Sequence, residues 1–354
     1  MILAIETSCD EVSASLVDQN FCVQKHIIFS SSNLANKTGG VVPELAAREA
    51  ANMMQSVIKK ITKNIEWNHI KAIAVTNGPG LVGSLMTGIE TAKTLAILFN
   101  KPLIPVFHIF GHMCANFLEQ KNKITFPALV LTVSGGHNDI YVWENALEYK
   151  RIGTTLDDAA GECFDKCARM LGLGYPGGPL LSKKAESGKK RDDIILPRPL
   201  KHTKNENLFN FSFSGLKTAL LYKIQKIKII NKNNSENNSE NKSDNLDEQT
   251  IADLCLEVET AICETLLHKL FLAQKIYKIN TLMLSGGVSA NKPLRAQFLH
   301  KATAIKCNAF IPVKFEYCTD NAAMIGAAAQ IIWKNSTNKS FPVENVKIQM
   351  KQEI

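Results

Sequence analysis

The chain has 354 residues, 45% hydrophobic and 21% charged, with 41 Lys and Arg against 33 Asp and Glu for a net charge of +8. This is an ordinary globular composition, large enough for two lobes or domains. No apolar run reaches the length of a membrane span, and the opening Met1–Glu6 lacks the basic start of a secretory leader, so a soluble cytoplasmic protein without a membrane partner is expected.

The first elements read as strand, polar turn, strand: Ile2 to Thr7 is apolar, Ser8 to Glu11 polar, and Val12 to Val17 alternates. A further apolar stretch covers Cys22 to Phe29, and Pro43 opens a helical pattern to about Lys63. Lys71 to Thr76 has the continuous apolar character of a buried strand and ends in Asn77-Gly78-Pro79-Gly80. A helix of small residues from about Ser84 to Phe99 and a strand from Pro102 to Val106 complete this half.

The second half repeats the plan. Ala128 to Val133 reads as a buried strand, Ser134-Gly135-Gly136-His137 as a turn and Asp139 to Trp143 as the returning strand. Helical patterns follow near 157–172, 179–187 and 214–229. Thr281 to Ser285 is a strand, Gly286-Gly287 a turn, Asn291 to Thr303 a helix, Asn308 to Pro312 a short strand and Asp320 to Trp333 a last helix rich in Ala and Gly. Between them, 231–246 is almost wholly Asn, Ser, Lys, Glu and Asp, which cannot bury apolar surface and is expected to be a disordered insertion. Two strand–glycine turn–strand units imply a duplicated α/β architecture with ligands bound beyond the strand ends.

Nine cysteines, at 9, 22, 114, 163, 167, 255, 263, 307 and 318, form no C-x-x-C pair, which argues against a zinc ribbon or disulfide framework and fits a reducing compartment. The positive charge permits an RNA partner but does not by itself require one, because Lys, Asn and Ile are abundant throughout. Three glycine-rich turns follow expected strands, at Asn77 to Gly83, Ser134 to Gly136 and Ser285 to Gly287, and together point to an anion or nucleotide site. Neither a Walker A sequence nor GxGxxG is present.

His108 and His112 are four residues apart, so on a helix both imidazoles share one face and can reach one metal ion. A third protein ligand is then needed. Asp320 is a candidate, with helix N-capping as its alternative role. Asp165 could pair with Arg169, and Asn291 could cap the helix it opens.

Many segments together resemble one family: Ile5 to Glu11 (IETSCDE), Gly39 to Ala46 (GGVVPELA), Gly78 to Gly83, Val133 to His137, Leu156 to Glu162, Tyr175 to Pro179, Phe211 to Thr218, Gly286 to Asn291 and Cys318 to Asn321, in order along the chain. The chain resembles the TsaD (YgjD/Gcp) family of tRNA threonylcarbamoyl transferases, formerly called O-sialoglycoprotein endopeptidases. The resemblance implies an α/β, actin-like and sugar-kinase-like (ASKHA) duplicated fold, with 1–107 plus 320–354 as one lobe and 108–319 as the other. It implies one divalent ion per subunit, Fe(II) before Zn(II), on His108, His112 and Asp320. It further implies that Thr132, Val133, Ser134, Gly135, Gly136, Asp165, Gly178 and Asn291 bind threonylcarbamoyl-AMP, and that the acidic residues Asp10 and Glu11 face the cleft as candidate catalytic groups. Implied partners are tRNA, a noncatalytic paralogue and a small ATPase.

Three positions depart from the family pattern: Phe107 stands for the usual histidine, Phe110 for the usual glutamate, and Asn138 for the usual threonine. A metalloprotease is disfavoured because H-E-x-x-H is missing. A noncatalytic ATP-binding scaffold or a small-molecule kinase of the same fold would have no use for the histidine pair.

Overall fold

The structure is a computed structural model that describes all residues except 31–40, 202, 204, 234–245, 338, 340 and 351–354. Its first sheet contains β1 (Ile2–Glu6), β2 (Glu11–Val17), β3 (Val23–Ser30), β4 (Ala72–Gly78) and β5 (Leu103–Phe107), ordered β3-β2-β1-β4-β5. The first three strands are antiparallel neighbours, and β4 and β5 run parallel to β1. The second sheet contains β6 (Ala128–Val133), β7 (Asn138–Trp143), β8 (Tyr149–Thr154), β9 (Thr281–Ser285) and β10 (Asn308–Phe310). Its order, β8-β7-β6-β9-β10, and its strand directions repeat the first. This is the expected duplicated, actin-like and sugar-kinase-like fold, with a mixed sheet in each lobe.

Nine α-helices lie among the described residues: α1 (Pro43–Thr62), α2 (Val82–Leu98), α3 (His108–Cys114), α4 (Ala160–Met170), α5 (Gly177–Ala185), α6 (Ser214–Asn233), α7 (Glu248–Tyr277), α8 (Lys292–Ala304) and α9 (Ala322–Asn335). No helix among the described residues is long and apolar enough to cross a membrane. All nine cysteines are free thiols.

Strand alternation between two buried faces explains why the central strands are apolar along most of their length. On β1, Leu3 and Ile5 pack toward α1 and α2, while Ile2 and Ala4 face the opposite core. On β6, Leu129, Leu131 and Val133 face the core shared with α4 to α8, while Ala128 and Val130 face the other way. The two inward faces meet in one cluster that also holds α3 and α9. Those two helices therefore lie between the sheets, and all seven residues of α3 are buried.

Two elements carry no sequence expectation. β8 is an edge strand whose Lys150 and Arg151 are exposed, so it lacks an apolar run. α7 is buried on most of its circumference yet carries acids, so polarity does not report exposure. Asp253 accepts from the Lys189 amide at 2.8 Å, and Glu257 accepts from the Leu196 amide at 2.9 Å. Most of the expected insertion, 234–245, lies outside the described residues, as do Gly39 and Gly40; residues 231–233 belong to α6.

Candidate functional site

β5 ends at Phe107 and the chain turns directly into α3, which places His108 and His112 one turn apart. Their ring centroids are 4.6 Å apart and nearly perpendicular. Gly111, between them, faces α9: a Cβ there would stand 2.7 Å from Ile325 Cδ1. The missing side chain lets α3 lie close against α9, and α9 is preceded by Asp320.

The capping alternative for Asp320 is taken by its neighbour. Asn321 is the N-cap of α9, its side chain accepting from the Met324 amide at 2.9 Å. Asp320 is left to face the histidines. Its Oδ1 lies 3.1 Å from His112 Nε2 and 3.4 Å from His108 Nε2, and one ligand atom from each of the three residues falls within 4.8 Å of the others.

The donor set fits a divalent ion. Metal–ligand bonds of about 2.0–2.2 Å at tetrahedral or octahedral angles set ligand atoms roughly 3–3.5 Å apart, which is the spacing found around Asp320 Oδ1. Both nitrogens of His112 are buried without an aligned hydrogen bond among the described residues, despite the nearby carboxylate. A buried polar atom so left is costly unless something absent satisfies it.

Charge in the centre points the same way. Burial alone would lower the His108 pKa, but the carboxylates of Asp320 and Glu6 overcome it and hold it well above the usual value. His112 is lowered, first by burial and also by His108. Burial opposes ionisation of Asp320, yet the two imidazoles keep its carboxyl well below the usual range. The site attracts a cation, whether proton or metal.

Asp10 closes the turn after β1, and Glu11 opens β2, beside this centre. Glu11 is half-buried, and its pKa is pushed well up by burial, then by the carboxylates of Asp320 and Asp10. The Cys9 thiol is raised for the same reasons.

The β6–β7 hairpin supplies the glycine turn. The Ser134 amide donates to the His137 carbonyl at 2.8 Å, and the His137 amide donates to Ser134 Oγ at 3.1 Å. Gly135 and Gly136 are exposed at its tip, with open space where side chains would be. Asn138 accepts from the Ala160 amide at 3.2 Å, tying the start of α4 to the hairpin. Behind the turn, Thr132 and Ser285 hydroxyls lie 2.9 Å apart. Gly286, at φ +84°, sits so close to Val133 that a Cβ would come within 2.4 Å of its carbonyl oxygen.

Asp165, on α4, uses one oxygen to accept from the amides of Gly177 and Gly178, at 2.8 and 3.2 Å. Its pKa is raised by burial against the pull of those two N–H groups. Asn291 caps α8, accepting from the Leu294 amide at 2.8 Å while its Nδ2 donates to Glu259 at 2.6 Å. The capping role weighed for Asn291 is thus present.

Sequence reasoning assigned no role to Glu6 or Ser8. Glu6 is fully buried at the end of β1, 3.4 Å from His108 Nδ1, and Ser8 Oγ is 3.1 Å from the same nitrogen. The available signal was a carboxylate at the end of an otherwise apolar strand. Phe110, where the family pattern has glutamate, stacks on Tyr149 at 5.1 Å and meets Trp143 edge-on at 5.6 Å.

The family model for TsaD, tRNA N6-adenosine threonylcarbamoyltransferase, matches residues 22–327. A relative of that name from Thermosipho melanesiensis is 42% identical over 340 residues, 96% of each chain. Another from Staphylococcus saprophyticus is 40% identical over 336 residues, 94% of this chain and 92% of its own. Among solved structures, full-length HypF in its phosphate- and nucleotide-bound form aligns with a TM-score of 0.57 at 13% identity, over 95% of this chain and 56% of that one, a likeness of fold alone. With relatives this similar over nearly the whole length, the chain belongs to the TsaD family of tRNA N6-adenosine threonylcarbamoyltransferases and is a transferase.

Proposed function

We propose that this chain transfers the threonylcarbamoyl group of threonylcarbamoyl-AMP to N6 of the adenosine next to the anticodon, in tRNAs that read codons beginning with A. The observation that carries this reading is the meeting of His108, His112 and Asp320 within 4.8 Å. Those three residues would hold one divalent ion, Fe(II) before Zn(II), since two imidazoles and a carboxylate suit either. When bound, the ion supplies a Lewis acid and a template for substrate oxygens.

The protein's own groups do the rest. Backbone N–H groups of Gly135 and Gly136 orient the mixed anhydride, on a turn framed by Thr132, Val133 and Ser134. Asp165 and the first turn of α5 at Gly178 receive the threonyl part through a hydroxyl or amide. Asn291, its side chain engaged in capping, supports the turn against which ribose or adenine lies. The N6 amine attacks the carbamoyl carbonyl carbon; a C–N bond forms, the C–O bond to the AMP phosphate breaks, and one N6 proton leaves. Glu11, its pKa raised by burial and acidic neighbours, suits the base role, with Asp10 beside it.

The family's pattern also supports a noncatalytic paralogue and a small ATPase as partners, a cytoplasmic setting, and lobes of 1–107 with 320–354 and 108–319. Mass analysis of tRNA nucleosides tests the activity. Cells depleted of this protein should lose threonylcarbamoyladenosine, and undiminished modification would overturn the reading.

A further inference from the structure

Glu6 is an unusual residue for its place. It ends β1, is wholly inaccessible to solvent, and no Lys or Arg pairs with it among the described residues. A buried carboxylate without compensation is costly. Three donors converge on it instead. The Ser8 amide donates to Oε1 at 2.6 Å, the Thr76 hydroxyl donates to Oε2, and His108 Nδ1 lies 3.4 Å from Oε2. Ser8 Oγ stands 3.1 Å from the same imidazole nitrogen. The opposite ring nitrogen, His108 Nε2, is the one that faces Asp320.

We propose that Glu6 is a positioning residue for the metal centre: with Ser8 it holds the proton of His108 on Nδ1, leaving Nε2 to bind a divalent cation. An imidazole ligand donates its outer N–H to a carboxylate in many metal sites, which fixes the ring and increases its basicity. Here the pair is built from β1 and α3, and Thr76 of β4 holds the carboxylate in place. Asp320 and Glu6 set carboxylates at the two opposite ring nitrogens of His108, one on the side of the ion and one behind the ring.

This inference rests on the metal reading, and the test separates the two. Metal-free protein is titrated with Co(II), following the visible ligand-field bands, and the Tm of the metal-free form is recorded alongside. Wild type should bind one Co(II). Glu6→Gln should bind it about tenfold to a hundredfold more weakly, while the metal-free Tm holds or rises because a buried carboxyl group has been replaced by an amide of the same shape. Glu6→Asp should recover part of the affinity. Equal Co(II) binding by wild type and a folded Glu6→Gln overturns the role of Glu6. So does a fall in metal-free Tm with affinity unchanged, which marks a purely structural residue. No Co(II) binding by wild type overturns the metal reading itself. If Glu6→Gln does not fold, Thr76→Val is measured the same way; a several-fold loss supports the proposal and unchanged affinity overturns it.

Discussion

His112 Nε2 lies 3.1 Å from Asp320 Oδ1, yet no aligned hydrogen bond joins them. The pair is spaced as two ligands of one ion are spaced. His112→Ala and Asp320→Ala should each lose retained metal and threonylcarbamoyl transfer while keeping near-native far-UV circular dichroism. Metal analysis of the purified variants checks this, and a variant with full metal content counts against the pair.

Gly111 sets how closely α3 approaches α9. Its missing Cβ would lie 2.7 Å from Ile325 Cδ1 and 3.3 Å from Met324 Cγ. The Ile325 atom ends a flexible side chain, so Gly111→Ala should cost little, whereas Gly111→Val should cost about 1–3 kcal/mol through overpacking. It should also weaken metal binding by moving the histidines from Asp320. Gly111→Val combined with Ile325→Ala should recover stability, which a double-mutant cycle in urea reads directly.

Arg198 bridges two acids of α7, Glu257 and Glu264, and donates to the Leu196 carbonyl at 2.7 Å. Glu257 is largely buried. Arg198→Met leaves that carboxylate unpaired and should cost about 3 kcal/mol. Arg198→Met with Glu257→Met should be closer to wild type in chemical denaturation than the single variant.

Asp157 accepts from the amides of Phe213 and Ser214 and from the hydroxyls of Ser212 and Ser214 at the start of α6. Burial works against its charge, but these four donors hold its pKa below the ordinary aspartate value. Its contribution is therefore complete above about pH 4, the unfolded value, and is lost as pH falls through the lower folded value. Below pH 4 the wild-type Tm should fall more steeply than that of Asp157→Asn. Parallel curves would remove Asp157 from the acid response.

Much of this was legible in the sequence, because strands buried on both faces are apolar along most of their length, as β1, β4 and β6 are. The spacing of His108 and His112 also gave their shared helical face. What could not be read is which distant element closes the centre. Asp320 was offered by position alone, and Asn321, one residue on, proved to be the cap. The resemblance, not the pattern, selected Asp320. Glu6 escaped notice because an acid at a strand end usually marks the strand's exit to solvent, whereas here the histidine, Ser8 and Thr76 enclose it. α7 was missed because its acids are buried against backbone amides, so its polar residues do not mark an outer face.

Anomalous scattering from crystals soaked in Co(II) or Zn(II) tests the central claim most directly. The account predicts a single strong peak within about 2.0–2.2 Å of His108 Nε2, His112 Nε2 and an Asp320 oxygen. A peak elsewhere in the cleft, or none at this centre, would contradict it.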